Sequence, residues 1–279
     1  MSNIIKFFII LLFTSGTAFA EIHEISDFNI ILREVYRSNK DTWVIFDVDD
    51  VLVMRKDQIL NSNHNKELAK ISGTVSTRIT EADMKNLWSI VHLSSKSEIV
   101  EQLIAEEIAG IHNHVDHVIA FTNMGTGKLG KIESVEDWRL NELQNFGIVF
   151  NTSLPTTSEK QLDCLLKKAN PVCSPRFKDG VLFGCYSDKG EVLQAYLKHI
   201  NIKPKKIIFI DDHRKNVESV QAFCKNENIE FVGFEYQAVK EKDVGKFNYK
   251  RAQLQFEILE KTHVWLCDDM AESILNNLK

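Results

Sequence analysis

Two stretches of this chain rise through apolar residues and end in carboxylates. Residues 44–54 read VIFDVDDVLVM, and residues 205–212 read KKIIFIDD. Continuous apolar runs bounded by polar residues mark strands buried on both faces. Such strands belong to parallel sheets with helices packed on each side. Acids at their carboxyl ends fall where open α/β sheets bind ligands. Carboxylates this close repel one another and resist burial unless something cationic sits among them. The first run carries Asp47, Asp49 and Asp50, the second Asp211 and Asp212.

The rest of the chain alternates in the same way. Apolar spacing predicts helices over 24–38, from Thr80 onward, and over 96–111, 134–145, 188–199 and 214–226. Strands are predicted at 43–49, 117–123, 147–150, 205–212 and 230–234, with a hairpin strand at 180–185. Ser187 is placed to cap the 188–199 helix. Residues 61–79 are polar and fit no clear element, and the tail over 248–275 reads as helical. The expected fold is α/β: a three-layer, Rossmann-like parallel sheet with helices on both faces. A length of 279 residues leaves room for an inserted lid. A mainly helical cap insert is expected at about 61–115 and a smaller insert at about 151–186.

The first twenty residues, MSNIIKFFIILLFTSGTAFA, stand apart. One cation, an apolar run from Phe7 to Phe13 and a small-residue ending form the layout of a secretory signal peptide with an A-x-A site. The run is far shorter than the roughly 20 residues of a membrane span. The mature chain, 21–279, is therefore expected to be exported, periplasmic or secreted, with no transmembrane span. Export means an oxidising compartment. Of Cys164, Cys173, Cys185, Cys224 and Cys267, at least one stays unpaired, and the first three allow a local bridge. Buried thiols are the plainer reading of the same residues. A net charge of −5 without a long basic run argues against nucleic acid as a partner.

Four elements recur in order at strand ends and a helix start. They are Asp47-Val48-Asp49-Asp50-Val51, then Thr122-Asn123 after VIAF, then Lys189, then Asp211-Asp212 after IIFI. Together they resemble the haloacid dehalogenase-like (HAD) phosphohydrolase superfamily, over about 43–235. The stretches SVEDWRLNELQNFGIVF, KDGVLF and THVWLCDDMA resemble an uncharacterised branch of it, found largely in host-associated bacteria. The resemblance implies a magnesium-dependent phosphatase that hydrolyses a small phosphomonoester through an aspartyl-phosphate. Asp47 would be the nucleophile, and Asp49 the acid that protonates the leaving oxygen and later activates water. Thr122 and the Asn123 backbone would hold phosphoryl oxygens, and Lys189 would neutralise nucleophile and phosphate together. Mg2+ would be held by Asp47, the Asp49 carbonyl and Asp211, with Asp212 near it. An oxygen-rich acid pocket is the right chemistry for that ion. Asp50 is given only a turn-capping role, and Asn216 reads either as orienting Asp212 or as a surface helix residue.

Two other readings compete. One is a secreted binding protein that keeps the fold with little turnover. The other is a zinc metallohydrolase, because HNHVDH at 112–117 offers His112, His114 and His117 at H-x-H-x-D-H spacing. GTGK at 125–128 suggests a phosphate loop but lacks the required Gly at Thr122 and Ser or Thr at Leu129.

Overall fold

The computed structural model describes residues 21–277, apart from 151, 152 and 159. The expected leader, 1–20, lies outside them. The strands are β1 (Glu21–Ile25), β2 (Thr42–Phe46), β3 (Val53–Arg55), β4 (Ser97–Ile99), β5 (His117–Thr122), β6 (Arg176–Lys178), β7 (Val181–Phe183), β8 (Lys206–Asp211) and β9 (Glu230–Tyr236). The helices are α1 (Phe28–Arg37), α2 (Asn65–Ser76), α3 (Glu81–Ser94), α4 (Ile104–His114), α5 (Val135–Asn145), α6 (Lys189–Ile200), α7 (Arg214–Glu227), α8 (Ala238–Glu241), α9 (Tyr249–Thr262) and α10 (Asp268–Asn277). Seven strands form one sheet in the order β1-β9-β8-β2-β5-β7-β6. All neighbours run parallel except β6, which is antiparallel to β7. This is a mixed, mostly parallel α/β sheet wrapped by helices.

Alternation along β2 shows why both faces must be covered. Val44 and Phe46 pack with Ile31 of α1, Ile108 of α4 and Leu143 of α5. Trp43 and Ile45 point the other way, into a second core with Leu193 and Tyr196 of α6 and Val217 and Val220 of α7. A strand residue buried on either face is worth about 1.5–3 kcal/mol for a large apolar side chain. That makes the continuous apolar run a requirement of the three-layer arrangement.

Several elements differ from the sequence expectation. The chain at 24–38 is not one helix. Residues Glu21–Ile25 pair with β9 as an edge strand, and Asp27 caps α1 by accepting from the Asn29 amide at 2.9 Å. The helix expected from 96 starts at Ile104, because Ser97–Ile99 pair with β3. Leu103, within the expected helix, is exposed and sits outside the observed one. No strand forms at 147–150. Its apolar residues Ile148 and Phe150 are buried, but β7 occupies the place beside β5. The α6 cap is Asp188, which accepts from the Glu191 amide, and not Ser187.

The region expected as one insert at 61–115 has two destinations. Its last helix, α4, packs on the sheet. Helices α2 and α3 form a separate core with the tail: Ile71, Val75, Leu87 and Ile90 meet Phe256, Leu259 and Trp265. Polar bonds fasten the tail to the chain after β3. Trp265 Nε1 donates to Asp57 at 2.8 Å, and the Asp268 amide donates to the same carboxylate at 2.9 Å. Within the expected insert at 151–186, β6 and β7 belong to the main sheet, and Cys173 is bridged to Cys185. Cys164, Cys224 and Cys267 are free thiols.

Candidate functional site

The strand order places β2 between β8 and β5, so three strand ends meet. Phe46 pairs with Ile210, and the Asp47 amide donates to the Ile210 carbonyl at 2.8 Å. Asp47 and Asp211 are thereby forced side by side. Both are buried. Lys189 reaches between them from the start of α6. Its Nζ lies 2.9 Å from Asp47 Oδ1 and 2.6 Å from Asp211 Oδ2, and donates to the Phe121 carbonyl at 2.7 Å. An ammonium stripped of water costs several kcal/mol. Burial pulls the Lys189 pKa down, but Asp211 and Asp47 outweigh it and hold it above the ordinary value. Gly190 lets α6 approach this closely: a Cβ there would fall 2.4 Å from the Ser219 carbonyl oxygen of α7.

One cation does not satisfy the acids. Oxygens of Asp47, Asp211 and Asp212 lie within 4.8 Å of one another. Asp211 is well supplied, accepting from the His213 amide at 2.9 Å and from Asn216 Nδ2 at 2.9 Å. Asn216 therefore orients Asp211, not Asp212 as its position suggested. Asp212 Oδ2 is buried with no hydrogen-bond partner. Burial, then the neighbouring charges of Asp211 and Asp50, push its carboxyl up to about 8. Burial also raises Asp47 well above the carboxylate range; Lys189 opposes this, and Asp211 and Asp212 reinforce it.

Thr122 ends β5 and is buried beside this cluster, its Oγ1 accepting from the Met124 amide at 3.2 Å. Asn123 follows, its Oδ1 buried without a partner. Asp47, Asp49, Thr122, Asn123 and Asp212 all line one cleft of about 860 Å³. Lys189 stands beneath it, fully enclosed.

Asp49 has a partner that the sequence reading missed. Arg139 of α5 is buried, and its Nη2 lies 2.7 Å and 3.0 Å from the two Asp49 oxygens. Asp49 is half-exposed, and the desolvation it feels in the cleft pushes its carboxyl up, but Arg139 and then Arg55 overcome this and leave it below its usual value. Arg139 also pairs with Glu142 at 2.5 Å and stacks on Trp138 at 5.0 Å. Asp50 adopts a left-handed φ of 62° at the turn after β2 and lines the cleft too. Burial raises its carboxyl to about 6.

The histidines of HNHVDH do not converge. His114 Nε2 bonds the Ser38 carbonyl at 2.9 Å, and His117 packs tilted against Trp43 at 4.5 Å. His112 packs edge-on against Phe150. His117 opens β5, the end opposite Thr122. Among the described residues, the metal-competent group is Asp47, Asp211 and Asp212. In the GTGK stretch the Gly127 amide donates to Glu136 at 2.9 Å, which commits it to a side chain of α5.

Fold and site together define an α/β protein with a buried acid–lysine cluster at its strand ends. The chain belongs to the family described as "Protein of unknown function (DUF2608)", whose family model matches residues 24–272. A "Putative outer membrane protein" of Chlamydia trachomatis serovar D is 26% identical over 222 residues, covering 78% of this chain and 76% of the relative. An uncharacterized protein of Rickettsia prowazekii (strain Madrid E) is 24% identical over 240 residues, covering 85% and 84%. Among solved structures, the HAD domain of effector protein Lem4 from Legionella pneumophila (an inactive mutant) matches 86% of this chain and 100% of its own. That match has 14% identity and a TM-score of 0.38.

Proposed function

We propose that this chain is an exported, magnesium-dependent phosphatase acting on a small phosphomonoester through an aspartyl-phosphate. The observation that carries the reading is Lys189 Nζ, held 2.9 Å from Asp47 and 2.6 Å from Asp211, with Thr122 closing the next strand. A nucleophile, a charge-neutralising cation and a hydroxyl donor from three separate segments share one cleft floor.

The donor set fits a hard divalent cation. Asp212 Oδ2 is buried without a hydrogen-bond partner, with His213 Nε2 at 3.5 Å and Lys240 Nζ at 3.9 Å, and it gathers with oxygens of Asp47 and Asp211. Asp47, Asp211 and Asp212 would hold magnesium, with the Asp49 carbonyl. When bound, it would supply positive charge that offsets the carboxylates and draws in a phosphate.

Asp47 attacks phosphorus. Its carboxylate oxygen forms the new bond as the ester P–O bond breaks. Asp49 gives the leaving oxygen its proton, then takes one from the water that attacks phosphorus and frees Asp47. Thr122 and the Asn123 amide hold phosphoryl oxygens, and Lys189 balances their charge. The Arg139 pair keeps Asp49 ionised, which suits the water-activating step. Proton donation in the first step requires that pair to loosen and Asp49 to take up a proton from solvent beforehand. The same pair favours the second reading, an exported binding protein with little turnover. Phosphate release from a panel of monoesters by the 21–279 chain with magnesium separates them. Release supports the phosphatase; none from any ester leaves the binding protein.

Export rests on the leader layout and on the Cys173–Cys185 bridge, which suits an oxidising compartment. The outer-membrane name of the Chlamydia trachomatis relative agrees with it. Among the described residues no helix is long and apolar enough to cross a membrane. N-terminal analysis of protein from the native envelope fraction should read Glu21. A cytosolic chain beginning at Met1 would overturn this.

A further inference from the structure

Among the described residues lining the cleft, one carries a phenol ring: Tyr186. The residue is 64% exposed, yet its backbone is tightly held. Cys185 and Tyr186 both take left-handed φ values, 48° and 58°. Bulky side chains avoid that region, and residues found there persist only where neighbours over-determine them. The neighbours here are specific. The Cys185 amide donates to the Met124 carbonyl at 2.9 Å, and the Tyr186 amide to the Asn123 carbonyl at 3.1 Å. Asn170 Nδ2 donates to the Cys185 carbonyl at 2.9 Å, and the disulfide ties Cys185 to Cys173.

The ring itself is also placed. A Cβ on Gly125 would meet its atoms between 3.0 and 3.3 Å, so the phenol lies close against that backbone. The loop that carries Tyr186 runs on into Lys189, and its amide is bonded to Asn123. The Tyr186 backbone is thus fixed relative to the acid–lysine cluster, and its ring lines the same cleft. Backbone hydrogen bonds and a disulfide hold this turn, and the exposed ring lies against Gly125 in the cleft it shares with the acid cluster. Val53, Met54 and Leu60 add apolar surface to the same cleft.

We propose that Tyr186 sets the substrate class: a phosphomonoester whose leaving group is an aromatic ring, stacked on the phenol. This rests on the phosphate-binding part of the function proposed above. Offset aromatic pairs add attraction beyond area burial, whereas a saturated ring of equal size lacks it.

The test compares phenylphosphonate with cyclohexylphosphonate, which share a head group and differ in aromaticity. Both are titrated calorimetrically into the 21–279 chain with magnesium, as wild type, Tyr186→Ala and Tyr186→Phe. Tyr186→Ala should weaken phenylphosphonate by about five- to tenfold, the worth of one stacked pair. Cyclohexylphosphonate should move less than twofold, and Tyr186→Phe should behave as wild type. Equal weakening of both ligands, no weakening, no binding of either, or a Phe variant as weak as Ala would each overturn the proposal. Turnover of phenyl phosphate is read separately. Its absence beside an intact binding difference removes the phosphatase reading alone; turnover without that difference removes the role of Tyr186 alone.

Discussion

Asp49 and Arg139 stand 90 positions apart in sequence and meet at 2.7 Å. The guanidinium is buried and the carboxylate half-exposed, so the arginine acts as a fixed post that aims a solvent-facing acid. Its other partner, Glu142, and the Trp138 ring hold the post in turn.

That arrangement predicts separable effects at position 139. Arg139→Lys keeps the charge but loses the planar fork. Asp49 is then misplaced, and kcat should fall by about 100-fold, the scale of a 1 Å error in a catalytic group. KM should change little, because phosphate contacts are elsewhere. Arg139→Ala should cost on the order of 3 kcal/mol in urea unfolding as well, because Glu142 loses a buried partner. Unchanged kcat in Arg139→Lys would show that Asp49 needs no such post.

A second prediction concerns acid stability. His92 of α3 lies 3.3 Å from Arg55 and near Arg139 and Asp49. Burial, then the two guanidinium charges, push its pKa down to about 3, while Asp49 opposes them. Unfolded, it titrates near 6.5. The folded value is the lower one, so the unfolded chain binds the proton first. The contribution of a neutral His92 is complete above pH 6.5 and is lost as pH falls toward 3. His92→Phe keeps the ring contact with Trp138 and removes the proton site. Its urea midpoint should drop less than that of wild type between pH 7 and pH 5. Parallel slopes for the two proteins would place the acid sensitivity elsewhere.

These residues also mark what could be read from sequence. Asp47 and Asp211 were legible because a strand buried on both faces must be continuously apolar, which leaves its terminal acids conspicuous. Lys189 was legible only through its place in the four-part order, since a lysine at a helix start is ordinarily solvated. Arg139 was not, because its burial depends on Glu142, Trp138 and a carboxylate from the distant turn after β2. One signal was present: Val135, Arg139 and Leu143 are spaced by four, and all three are buried. A cation in the middle of an apolar helix stripe asks for an acid. The tail showed its helical period but not the surface it covers, because periodicity reports a face and not its partner.

The tail supplies the third prediction. Phe256 meets Trp88 edge-on at 6.2 Å and Trp265 at 5.6 Å, across two chain segments far apart in sequence. Ending the chain at residue 247 uncovers Ile71, Val75, Leu87 and Ile90 together. Hydrogen exchange should then accelerate over 65–94, while β2, β5 and β8 keep their protection within the separate sheet core. Uniform acceleration across the sheet would mean that the two cores unfold as one.

The last prediction sets the acid cluster against the histidines in one assay. Asp47→Asn removes an attacking charge and an oxygen ligand together, and leaves Lys189 with a neutral partner at 2.9 Å. Activity should fall by several orders of magnitude, as the loss of a covalent nucleophile does. His114→Ala should change little, because its ring serves the Ser38 carbonyl and packs on Tyr36 at 5.3 Å, away from the strand ends. Chelation should abolish phosphate release, and magnesium alone should restore it, because the gathered ligands are carboxylate oxygens. Asp212→Asn removes a charge that burial already disfavours. It should leave the fold intact and weaken the magnesium-dependent rise in melting temperature. A zinc-dependent enzyme, dead as His114→Ala and active as Asp47→Asn, would overturn the acid-cluster mechanism entirely.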